Sequence, residues 1–205
     1  MYSKSIGAVA WQEEAASAGG HRRGPGWLER LRYRFDPRLK RQYRQLRQIL
    51  AVCPLFDAAF YVHADPGLAA SGVDPLWHYC TRGIGEGRNP SPYFFTSWYL
   101  AEYPEVAKRG LNPLLHYALH GVEEGTNPNP YFFTSWYLKR YPQVQQQGMH
   151  PLVHYLNQGT ERNTWPNPYF DPAWYSRIYP ESAGTEPLAH FLAHGAEFGF
   201  QPNSC

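Results

Sequence analysis

The chain has 205 residues, 43% hydrophobic and 17% aromatic, and its 19 prolines and 18 glycines cut it into short elements. No run approaches the roughly 20 apolar residues of a membrane-spanning helix, and acids follow the first apolar patch where a signal peptide would continue. Cys53, Cys80 and Cys205, at irregular spacing, make neither a disulfide framework nor a zinc pair. The formal net charge of +2 conceals a split: residues 1–50 hold 11 Lys/Arg against 4 Asp/Glu, and the rest of the chain holds 8 against 13. The expected setting is cytoplasmic, with a peripheral place on the inner face of the cytoplasmic membrane open to the basic part.

Residues 1–26 are rich in Gly, Ala and Ser without periodicity and read as a disordered leader. Residues 27–53 read as a basic amphipathic helical segment. In "FDPRLKRQYRQLRQILAVCP", Asp36 stands as cap, Pro37 at the first helical position and Pro54 at the end. Leu39, Tyr43, Leu46, Leu50 and Cys53 form one apolar stripe, with Arg38, Lys40, Arg41, Arg44 and Arg47 away from it. "WLERLRYRF" adds Trp27, Arg30, Arg32 and Arg34. Such a segment can cap a helical array, lie on an anionic membrane or, as an arginine-rich stretch and anionic-partner contact, bind nucleic acid. It brings no recognisable nucleic-acid-binding fold, so a nucleic-acid partner is not expected.

Four units follow over residues 54–203: 54–91, 92–129, 130–167 and 168–203. "FFTSWYL" recurs letter for letter 38 residues apart, in the second and third. Each unit reads as two to three short helices. Asp57 and Asp171 stand at a cap position, and Thr96 and Thr134, one place later, could do the same job. Pro104 ends the first helix and starts a turn that stops at Gly110. Asn112 and Pro113 open the next helix, with Gly121 as its stop; Asp74-Pro75, His150-Pro151 and Glu186-Pro187 echo that opening. Helices this short are marginal alone and must bury their apolar faces by stacking. The predicted fold is all-α, an array of four repeats of about 38 residues behind a basic amphipathic helix.

Trp98, Trp136 and Trp174 share one slot, and Tyr99, Tyr137 and Tyr175 the next. Exposed, such rings stack on sugars or bases; at helical, repeat-locked spacing they are expected instead to fill the seam between units. His78, His116, His154 and His190 recur before an aromatic, and each is expected to bond a neighbouring carbonyl or carboxylate. The pairs His116/His120 and His190/His194 have metal-ligand spacing, but Arg82 and Gln158 break that pattern in the other units. Glu86, Glu124, Glu161 and Glu197 lie in separate units, with nothing to single out an acid–base pair. No phosphate loop or nucleophile elbow appears. No catalytic, cofactor-binding or metal site is predicted.

"FDPAWYSRIYP", "YFFTSWYLAEYPEVAKRGLNPLLHYALHGVEEG" and "GIGEGRNP" resemble repeats that precede or separate catalytic domains in bacterial glycosyltransferases and polysaccharide-biosynthesis proteins. The pattern is F-D-x-x-W-Y-L-x-x-Y-P-D-V, N-P-L-x-H-Y, then G-x-x-E-G-R-x-P. The resemblance covers residues 54–203 and departs from the pattern at Phe95 and Phe133, which stand for aspartate. The catalytic domain that such repeats often accompany is not within the chain. The resemblance implies a non-catalytic scaffold or docking module for enzymes of surface-polysaccharide assembly. A glycan-binding module using exposed Trp and Tyr is the alternative, and a fragment or degenerate copy of a glycosyltransferase is the third.

Overall fold

The computed structural model describes residues 36–51, 53–159, 163–195 and 198–203, side chains of 158 and 159 excepted. Trp27, Arg30, Arg32, Arg34, Glu161, Glu197, Cys205 and the 1–26 leader lie outside the described residues. The described chain is helical, without a strand; one isolated antiparallel bridge joins Ser91 and Phe94.

The leader helix spans Pro37–Leu50, starting directly after Asp36 as the proline spacing predicts. It belongs to the same compact unit as everything after it, Pro37–Cys205. Its stripe faces that body: Leu46 and Cys53 are buried, and Leu39, Tyr43 and Leu50 are half-buried. The Tyr43 hydroxyl donates to Asp74 at 3.1 Å, and its ring meets Trp77 edge-on at 5.3 Å. Gln42 Nε2 donates to the Gly110 carbonyl.

The four aligned stretches then follow one course. First helices span Ala58–His63, Thr96–Glu102, Thr134–Arg140 and Pro172–Ile178. Second ones span Pro66–Ser71, Pro104–Lys108 and Pro142–Gln146, shrinking to a single 3₁₀ turn, Pro180–Ser182, where two residues are missing. Third helices begin at Pro75, Pro113, Pro151 and Pro187 and open into a wider π-type turn over Tyr79–Gly83, Tyr117–Gly121, Tyr155–Gly159 and Phe191–Gly195. Each stretch closes on itself: the amides of Asp57, Phe95, Phe133 and Asp171 donate to the carbonyls of Pro90, Pro128, Pro166 and Pro202, at 2.9–3.1 Å.

The expected caps form at Asp57, Asp171, Asp74, Asn112 and Glu186. Thr96 and Thr134 are not caps. They are buried first-turn residues whose own amides are capped by Asn89 Oδ1 (3.0 Å) and Asn127 Oδ1 (2.9 Å), seven residues earlier. That explains the departures at Phe95 and Phe133. Where the preceding turn supplies an asparagine, the cap residue is free to be a ring, and Phe133 packs on Tyr169 with centroids 6.3 Å apart. Where the slot holds Trp165 instead, Asp171 caps its own helix.

Gly121 is not the stop either. Its φ of −57° is helical, and the chain runs on to Glu124 before Gly125 turns left-handed at φ 66°. Gly121 is required for close approach: a Cβ there would lie 2.5 Å from the Tyr117 ring and 2.7 Å from Thr126 Oγ1.

Candidate functional site

A polar pair embedded in a three-ring core recurs in every stretch. Phe56, Tyr61 and Tyr79 meet at centroid distances of 5.3–6.0 Å. The equivalents are Phe94, Tyr99 and Tyr117; Phe132, Tyr137 and Tyr155; and Phe170, Tyr175 and Phe191. All but Phe56 are buried, and each ring contributes roughly 1.5–3 kcal/mol through burial.

Within this core the tyrosine of the first helix bonds the histidine of the third. Tyr61–His78, Tyr99–His116, Tyr137–His154 and Tyr175–His190 lie 2.9, 2.9, 2.7 and 2.8 Å apart, hydroxyl to Nδ1. In the second stretch His116 Nε2 also faces Glu124 Oε2 at 3.2 Å. A carboxylate only accepts, so Nε2 carries the proton and Nδ1 accepts from Tyr99. Burial pushes His78, His116 and His190 below the ordinary histidine value, and pushes Tyr61, Tyr99, Tyr137 and Tyr175 above the ordinary tyrosine value. These seven groups therefore stay neutral near pH 7. The four tyrosines have 0% exposure, so the pair fastens one helix to another and its hydroxyl does not meet solvent.

The seam was expected to hold Trp98, Trp136, Trp174 and Tyr99, Tyr137, Tyr175, and this needs correction. Those tyrosines make their ring contacts inside their own stretch. The tryptophans are half-buried, Trp98 and Trp174 packing edge-on against Tyr103 and Tyr179 of the same stretch. The junctions use another slot. Tyr79 and Tyr117 reach Thr96 and Thr134 in the next stretch, at 3.2 and 3.4 Å, and the Tyr155 hydroxyl donates to Glu186. Tyr93 reaches the same Glu186 carboxylate at 3.0 Å across 93 residues. The slot was visible as the aromatic after each repeat histidine; its role depends on packing that spacing does not encode.

His150 is the odd member of the junctions. It occupies the cap slot of Asp74, Asn112 and Glu186 yet makes no cap bond. Its ring meets Tyr117 edge-on at 5.0 Å, and neither buried ring nitrogen has a well-formed hydrogen bond. Burial drives its pKa down to about 4, against a smaller opposite pull from the Tyr117 backbone.

The two histidine pairs lie 5.8 Å (His116/His120) and 5.1 Å (His190/His194) apart, centroid to centroid. Among the described residues no group of three or more His, Cys, Asp or Glu is placed to hold a metal. Burial raises the thiols of Cys53 and Cys80 to about 11 and about 12, so both stay protonated.

Two surfaces named by the sequence face outward among the described residues. Arg38, Lys40, Arg41, Arg44 and Arg47 are all exposed on the leader helix. Because the apolar stripe of that helix is already buried against the body, the helix can meet an anionic surface by charge but not by inserting that stripe. The second surface is the half-exposed tryptophan slot. Among the described residues no helix is long and apolar enough to cross a membrane. The chain matches no protein-family model, no curated protein and no solved structure.

Proposed function

We propose that the chain is a non-catalytic scaffold built as a four-unit helical repeat array, which docks enzymes of bacterial surface-polysaccharide assembly at an anionic membrane surface. One observation carries the reading: the same Tyr–His bond sits in the same three-ring core four times over. Residue types that elsewhere perform acid–base chemistry are here buried, mutually bonded and committed to holding short helices together. The pathway comes from the resemblance of residues 54–203 to repeats of polysaccharide-biosynthesis proteins. The membrane contact comes from the five exposed cations of the leader helix.

Affinity capture with the full chain tests the docking role. The expected partners are enzymes of polysaccharide assembly, with no glycosyl transfer from sugar nucleotides by the chain alone; capture of none of them, or turnover, contradicts the reading. Binding to vesicles containing phosphatidylserine should vanish in high salt, because adsorption by charge is screened within about 8–10 Å. Binding that survives high salt would refute adsorption by charge alone.

A second reading rests on the tryptophan slot. Trp98, Trp136 and Trp174 are only half-buried, at one position per stretch, and such a row would suit stacking on the rings of an extended glycan. Single Trp→Ala variants that abolish oligosaccharide binding while enzymes are still captured would favour it.

A further inference from the structure

Three large apolar side chains with unusual exposure or placement concentrate in the last stretch. Ile178 is 47% exposed where the second and third stretches carry Glu102 and Arg140. Phe198 is 61% exposed where the earlier stretches carry Glu86, Glu124 and Arg162. Phe200 replaces Arg88, Thr126 and Thr164. The result is a continuous ring stack: Tyr179 on Phe200 at 4.3 Å, and Phe200 on Phe198 at 5.6 Å. Its innermost members seal the Tyr175–His190 pair, but its outermost ring lies open to solvent. Phe200 is packed inside the monomer, but Ile178 and Phe198 put large apolar groups at exposed positions that carry charged side chains in the second and third stretches, which points to a surface that is covered in use.

The rim indicates what covers it. Arg177 and Glu181, both exposed, flank Ile178 and Tyr179, four residues apart and of opposite sign. Glu181 lies close enough to act on Tyr175 and His190 under the stack. A patch with an uncharged centre and one charge of each sign at its edge complements itself under a two-fold axis, where each arginine meets the partner's glutamate. Head-to-tail growth would have to displace the leader helix, which bonds Asp74 and packs on Trp77 of the first stretch. We propose that the corner formed by Ile178, Tyr179, Phe198 and Phe200 is the contact face of a two-fold dimer between copies of this chain. Such a dimer presents every docking surface twice, and it stands or falls independently of which enzymes dock there.

Sedimentation velocity on the full chain, from about 1 to about 100 µM, tests this. The wild type should shift from monomer to dimer with concentration. Phe198→Glu and Ile178→Arg should each raise the dimer Kd at least about tenfold, with an unchanged helical circular-dichroism spectrum. Leu119→Glu, at an exposed leucine of the second stretch, should leave it alone. Arg177→Glu and Glu181→Arg should each weaken the dimer, and the double variant should restore it. A monomer throughout the range, or a dimer indifferent to Phe198 and Ile178, overturns the proposal. A double variant as weak as the singles overturns the two-fold arrangement.

Discussion

The first and last of the four stretches share the three-ring core and the Tyr–His bond, but close their outer corner by opposite chemistry. In the first, Arg88 donates to Asp65 at 2.7 Å and to the Tyr61 carbonyl at 2.9 Å, with its guanidinium 4.4 Å from the Tyr61 ring centroid. In the last, Tyr179 and Phe200 stack in those places, and the Tyr179 hydroxyl accepts from the Gln201 amide at 2.8 Å. The two between share that tyrosine–amide bond, Tyr103 and Tyr141 accepting from the amides of Asn127 and Trp165, but carry Thr126 and Thr164 where the last stretch has Phe200. The inner slots are thus held constant because each ring fills a shaped space, whereas the corner only has to close. What the corner is made of then decides what it offers outward: an ionic corner in the stretch on which the leader helix docks, an open aromatic face in the last.

That contrast can be broken at the covered end first. Leu46→Ala removes the one fully buried side chain of the leader helix and should cost about 2–5 kcal/mol in chemical denaturation. Phe198→Ser at the open end should stay within about 0.5 kcal/mol in the monomer. Equal losses at both ends would mean that the leader helix is not docked as described.

Acid should loosen both ends together, because His78 and His190 are each held below their ordinary value by burial, as is His150 between them. The unfolded chain takes up these protons at higher pH than the folded one. Stability is therefore fully present above the unfolded value of about 6.5 and lost as pH falls toward about 4. Thermal melts at pH 7.5 and pH 5 should show a clear drop in Tm at the lower pH. His150→Asn should flatten that dependence and add a cap bond of the Asn112 kind, stabilising by about 0.5–2 kcal/mol.

Caps sharpen the comparison further. The outer stretches cap their own first helices, and the central ones borrow an asparagine. Asp171→Ala and Asn127→Ala should each cost about 1 kcal/mol, although Asn127 lies seven residues outside its helix. The smallest effect belongs to the ionic corner. Asp65 is 38% exposed in its side chain, so Asp65→Asn should cost only about 0.2–1 kcal/mol, and less at high salt.

The all-helical class and nearly every helix start were legible in the sequence, because proline and cap residues act within one turn of where they stand. Asp57, Asp74, Asn112, Asp171 and Glu186 all cap as expected for that reason. The errors arose wherever a residue serves something distant. Thr96 and Thr134 look like caps locally but are capped by the previous turn. Gly121 looks like a stop but makes room for a ring. The Tyr–His pairs join residues 15 or 17 apart. A trace of them was present: the last stretch loses two residues between its tyrosine and its histidine, yet keeps both.

The central claim is that these pairs are structural, and removing one oxygen at a time tests it most directly. Urea denaturation of Tyr61→Phe, Tyr99→Phe, Tyr137→Phe and Tyr175→Phe should show a loss of about 1–3 kcal/mol for each, because every change leaves a histidine nitrogen without its partner. Four variants as stable as the parent would contradict the account.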